Sequence, residues 1–116
     1  TVNLVMPGLD GLEKMKRLMA ELRGNPPSVI SAKAVIKVRD YLTGKAKLPS
    51  GELEALPLVG SDVLYFELEG GSRLVVRPSG TEPKIKVYIL VRGETAAESA
   101  QLIEGFESYA LSLAKD

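Results

Sequence analysis

The chain has 116 residues, 45% of them hydrophobic, with fifteen basic and fifteen acidic side chains. That suffices for one domain with its own core, and the neutral balance leaves no electrostatic footprint for a nucleic acid or a membrane surface. With no cysteine and no histidine, disulfides, thiolate metal sites and the commonest general base are excluded.

No apolar run reaches the ~20 residues of a membrane helix, and no signal peptide is visible. The cytoplasm is the expected location, with no membrane partner. The opening TVNLVMPG starts without methionine inside a strand-like run, which suggests a piece cut from a longer chain. Residues 2–6 read either as a short strand or as the end of a connection from an upstream domain. Residues 1–8 are accordingly expected to be a remnant of that connection, and 1–116 a single domain. GLDGLEKMKRLMAELRGNPP then reads as a helix. Asp10 is its expected N-cap, with Glu13 in the capping-box position. Leu12, Met15, Leu18, Met19 and Leu22 share one face at helical spacing. Gly24 and Asn25 supply a left-handed exit before Pro26 and Pro27.

Residues 34–42 (AVIKVRDYL) are β-rich and predict a strand. Residues 44–60 hold two prolines and three glycines and read as a long loop, pinned to the body by Leu48, Leu53, Leu56 and Leu58. Residues 63–69 alternate, with Leu64, Phe66 and Leu68 facing one way. Gly70-Gly71 is a tight hairpin signal, and residues 73–77 form the return strand on Leu74 and Val76. After the loop RPSGTEP, a strong strand runs through Ile85, Val87, Ile89 and Val91 to Gly93. Residues 95–114 predict a second helix, striped by Leu102, Ile103, Phe106, Tyr109, Ala110 and Leu113. Tyr41, Tyr65, Tyr88 and Tyr109 are scattered and make no evident stacking platform for bases. The order predicts an α+β fold: an antiparallel sheet of four to five strands with two helices on one face.

RPSGTEPKIKVY, residues 77–88, carries the chemistry. A phosphate dianion needs converging N–H and O–H donors and a fixed cation. Successive amides in a tight turn form an anion nest, and Ser79-Gly80-Thr81 suits one. Gly80 permits the positive φ that turns amides inward. Ser79 and Thr81 add hydroxyls, Pro78 and Pro83 stiffen the flanks, and Arg77 offers a bidentate guanidinium. Strand phase points Arg77 and Lys86 each away from the core, and if their strands pair as neighbours the two lie on the same helix-free face, flanking the loop. Charge-assisted hydrogen bonds contribute roughly 1.5–3 kcal/mol each, against an association cost of at least ~4 kcal/mol. The loop alone should therefore bind phosphate at about millimolar affinity. Glu82 is repulsive to an anion; it points outward, pairs with Lys84 or reaches a sugar hydroxyl. As bare composition, S-G-T between prolines also reads as a surface turn, and Arg77 and Lys86 as solvated strand charges.

RPSGTEPKIKVY resembles the C-terminal phosphate-binding motif of the α-D-phosphohexomutases, the phosphoglucomutase and phosphomannomutase superfamily. The resemblance extends through GLDGLEKMKRLMAELRGNPP, DYLTG and GGSRLVVRPSGTEPKIKVYILVRGET, and is greatest to the bacterial phosphoglucomutase branch. It implies a fourth and last domain of TATA-box-binding-protein-like fold. It implies phosphate contacts from Arg77, Ser79, Gly80, Thr81 and Lys86, where many relatives have arginine at the last position. It further implies a parent enzyme that moves a phosphoryl group between O1 and O6 of a hexose phosphate through a phosphoserine and a bisphosphate intermediate. The phosphoserine, the Mg2+ site and the sugar-specificity loop are implied upstream, so the excised chain should bind neither metal nor catalyse. Expected partners are the hexose phosphate and the upstream domains. A non-catalytic regulatory or protein-interaction module of α+β class is the alternative reading, and single-stranded nucleic acid binding a third, disfavoured by charge and aromatic count.

Overall fold

The computed structural model describes residues 2–6 and 8–114. Residues 1 and 7 of the expected connection lie outside them. The chain opens with β1 (Val2–Val5) and α1 (Gly11–Gly24), followed by β2 (Val29–Ile30), β3 (Lys33–Asp40), β4 (Lys45–Lys47) and β5 (Leu53–Ala55). It ends with β6 (Leu64–Leu68), β7 (Arg73–Pro78), β8 (Lys84–Leu90) and α2 (Ala96–Leu113). The strands form one sheet in the order β1-β8-β7-β6-β3-β4-β5, with β2 beside β3, and every pairing is antiparallel. The α+β fold is as expected, with more strands. Of residues 2–6, open between strand and connection, Val2–Val5 form edge strand β1.

Period-two sequence alternation becomes the buried face directly. Leu64, Phe66 and Leu68 of β6, Leu74 and Val76 of β7, and Ile85 and Val87 of β8 are all at most 1% exposed. Met15, Met19 and Leu22 of α1 and Phe106 and Ala110 of α2 close over them in one core, so both helices lie on one face and the other is free of helices. Leu12, placed on the apolar face of α1 by spacing, is exposed, as is Ile103 of α2.

Several local expectations yield to tertiary contacts. Asp10 makes no side-chain cap to α1; its carboxylate sits 3.9 Å from Lys14. Asn25 leaves the helix at φ −139°, not through a left-handed residue, while its N–H still donates to Glu21. Thr95, by contrast, caps α2 by accepting from the Glu98 N–H at 3.0 Å. The expected loop at 44–60 contains β4 and β5, which extend the sheet beyond β3. Of the leucines expected to pin it, Leu53 and Leu58 are exposed; Leu48 and Leu56 are half-buried.

Two ties orient α1 across the sheet. At its start Gly11 lies so close to the Met6 carbonyl and to Pro83 that a Cβ would overlap the former. At its end the Arg23 guanidinium holds Asp40, at 3.0 Å, and Asp62. Burial opposes that charge, but the bonds to Asp62 and Asp40 prevail and raise the Arg23 pKa.

Candidate functional site

Strands β7 and β8 pair directly, with Val76 opposite Val87 and Arg77 opposite Lys86. Val76 and Val87 point into the core, so Arg77 and Lys86 point together from the helix-free face. Asn3 of β1 continues that row beyond Lys86. Arg77 is exposed and Lys86 half-buried. Among the described residues neither has a carboxylate within 4 Å. Two cations thus stand side by side at the mouth of the loop that joins their strands.

The loop is a closed curve. At its base the Ser79 N–H donates to the Lys84 carbonyl at 2.9 Å, and the Lys84 N–H to Glu82 at 2.8 Å. The Thr81 and Glu82 amides both turn to the Ser79 hydroxyl, at 3.4 and 3.3 Å. These are long bonds on exposed residues, well beyond the usual ~2.9–3.0 Å of a good N–H···O contact. An oxyanion placed there competes for both amides and gains the hydroxyl as a donor.

One expected reason for the glycine does not hold. Gly80 is not at positive φ, and a Cβ there would meet nothing within 4 Å. Its lack of a side chain leaves open space over the loop instead of enabling the turn. Glu82 resolves among its three alternatives: its carboxylate lies 3.7 Å from the Lys84 ammonium, and both are outside the row of Arg77 and Lys86. Lys84 shares the helix-free face, and the sequence names it only as a partner for Glu82, not as a phosphate contact.

The loop's second flank is tied down from outside. The Met6 N–H donates to the Pro83 carbonyl at 2.8 Å, and Gly11 abuts the Pro83 ring at 3.1 Å from its would-be Cβ. β1 and the start of α1 therefore brace Pro83 from behind, a contact between residues over seventy positions apart that no local pattern announces.

Inward along the same face, the next row runs Tyr88, Val75, Tyr65 and Arg39 across β8, β7, β6 and β3. The scattered tyrosines of the sequence are thus partly gathered: Tyr88 and Tyr65 flank Val75. Arg39 stacks over the Tyr65 ring, 4.6 Å from its centroid, and donates to Glu67 at 2.8 Å and to the Tyr41 hydroxyl at 3.3 Å. The bonds to Tyr41 and Glu67 raise the Arg39 pKa, holding it charged. Arg73 donates to the Tyr65 hydroxyl at 2.6 Å. Among the described residues no group of three or more His, Cys, Asp or Glu side chains is gathered to hold a metal. The donor set of the loop, amides, hydroxyls and cations, suits an anion instead.

The phosphoglucomutase/phosphomannomutase C-terminal domain family matches residues 2–106. A probable phosphomannomutase of Haemophilus influenzae is 35% identical over 96 residues, covering 83% of this chain and 17% of that protein. A phosphoglucomutase of Staphylococcus saprophyticus is 34% identical over 98 residues, 84% of this chain and 18% of its own length. One from Staphylococcus aureus is 33% identical over 99 residues, with the same coverage. The chain spans less than a fifth of the length of these curated relatives.

Proposed function

Because this chain belongs to the phosphoglucomutase/phosphomannomutase family, as its C-terminal domain, we propose that it clamps the non-reacting phosphate of a hexose phosphate inside a phosphohexomutase. The observation that carries the proposal is the register of Arg77 against Lys86 beside a loop whose amides turn to one point. Arg77 and Lys86 supply charge from the sheet face. Ser79, Gly80 and Thr81 supply hydroxyls, amides and room for close approach.

In the proposed parent enzyme, an upstream phosphoserine passes its phosphoryl group to the free O1 or O6 hydroxyl, whose proton is balanced by protonation of the serine oxygen left behind. The bisphosphate reorients, and the other phosphoryl returns to the serine. Holding the distant phosphate makes attack effectively unimolecular and lets remote binding energy lower the barrier. The Mg2+ expected for the parent is proposed to be held by an upstream domain, and this domain's part is to bind and orient. Residues 1–116 act in the proposal as one domain, with β1 built into its sheet, swinging against the upstream domains to admit and release sugar. No helix among the described residues is long and apolar enough to cross a membrane; the proposed setting is the cytoplasm.

Amide-resolved titration of this chain with inorganic phosphate tests the reading. The expected result is millimolar, salt-sensitive binding with shifts at Ser79, Gly80, Thr81 and Glu82. Shifts centred on another surface, or none at the loop, sink it. The chain alone should show no mutase turnover.

A further inference from the structure

Resting on the phosphate reading, we infer that Tyr88, with Val75 beside it, forms the shelf on which the sugar ring of the clamped hexose phosphate lies, so that this domain selects a hexose phosphate over bare phosphate. On β8 the side chains of Lys86 and Tyr88 leave the same face, since Ile85 and Val87 between and before them are fully buried. Same-face neighbours on a strand are ~7 Å apart. Tyr88 is therefore the first side chain a phosphate's substituent meets when it extends from Lys86 along the sheet, and Val75 stands directly opposite Tyr88 on β7. Extension the other way along β8 meets Lys84, which Glu82 approaches, and then the loop, while extension across the sheet meets the short side chain of Asn3.

The hydroxyls of the face tyrosines separate them. The Tyr41 hydroxyl takes a bond from Arg39 and the Tyr65 hydroxyl one from Arg73. Arg39 also covers the Tyr65 ring. Among the described residues no group engages the Tyr88 hydroxyl or covers its ring in this way, although Tyr88 is half-buried. An aromatic ring offers an apolar face and a polar tip, and a pyranose offers apolar C–H edges and several hydroxyls to match both. A phosphate clamp at one end and a free phenol a residue pair away fit a molecule that is anionic at one end and hydroxylated beyond.

The test compares two ligands on one chain. Wild type titrated with glucose 6-phosphate should bind about three- to ten-fold tighter than with inorganic phosphate, the yield of one added hydrogen bond with partial ring contact. The Tyr88 ring protons and the Val75 methyls should shift only with the sugar phosphate. Tyr88→Ala should bring the two affinities together by weakening the sugar phosphate alone. Tyr88→Phe, which leaves packing intact and covers the case of an unfolded alanine variant, should remove part of the preference. Equal binding of the two ligands by wild type overturns the inference while leaving the clamp standing. Equal loss for both ligands in Tyr88→Phe does so as well. Absence of any loop response to either ligand overturns the clamp and this inference together.

Discussion

Strand β7 has a turn at each end, and both turns contain glycine. The turn before it, Glu69–Gly71 with Ser72, is closed on itself. Gly70 and Gly71 hold φ 85° and 94°, and the Leu68 N–H donates to the Ser72 carbonyl at 3.0 Å. Ser72 is buried, with its hydroxyl accepting the Arg92 N–H at 3.1 Å, and the Glu69 carboxylate accepts from Ala34. The turn after β7 leaves its donors outward: Gly80 in ordinary φ with empty space above it, two amides on long bonds to one hydroxyl, and Arg77 free of any carboxylate among the described residues. In the first turn glycine makes a conformation possible. In the second it makes an approach possible. On the proposed function, that difference separates a structural turn from a phosphate-binding one, and it is measurable.

The largest expected effect breaks the first turn. Gly71→Ala puts a Cβ at 2.8 Å from Arg92 Cδ in a left-handed conformation, and should cost about 2 kcal/mol of stability. Urea denaturation reads this directly, while phosphate binding by the variant stays unchanged. Next, Arg77→Ala should weaken inorganic phosphate on the order of ten-fold, one charge-assisted bond, with the melting transition left where it was; titration calorimetry or amide shifts would show it. Gly80→Ala sharpens the contrast most. Stability should stay within ~0.5 kcal/mol of wild type, because neither φ nor space opposes a methyl, yet phosphate should bind several-fold more weakly. A stability loss as large as that of Gly71→Ala would erase the distinction drawn between the turns. The smallest effect belongs to Ser79→Ala: about 0.5 kcal/mol or less in stability, since the Thr81 and Glu82 amides turn to water, with faster hydrogen exchange at those two amides.

Much of this was legible in short windows. The alternation 64, 66, 68 and 74, 76 and 85, 87 named the buried face, and the helix stripes named Met15, Met19, Leu22, Phe106 and Ala110. The same local order misled wherever a distant partner intervened. Asp10 looked like a cap and Asn25 like a left-handed exit, yet neither serves as such. The arm carrying β4 and β5 has too few residues per strand, and too much glycine and proline, to declare itself. Its pairing with β3 is a hydrogen-bonding fact of the assembled sheet. In the sequence Tyr88 is only one of four scattered tyrosines, because Val75 and Arg77, beside it on the same face, lie on another strand.

By itself the sequence determined that Arg77 and Lys86 leave the sheet on the side opposite the core, because side chains alternate on a strand whatever it pairs with. Only the tertiary structure decided that they are register partners, that Met6 and Gly11 brace Pro83, and that Tyr88 stands next in line. Those facts depend on which backbone groups meet across the sheet, and hydrogen bonds between distant residues leave no period along the chain.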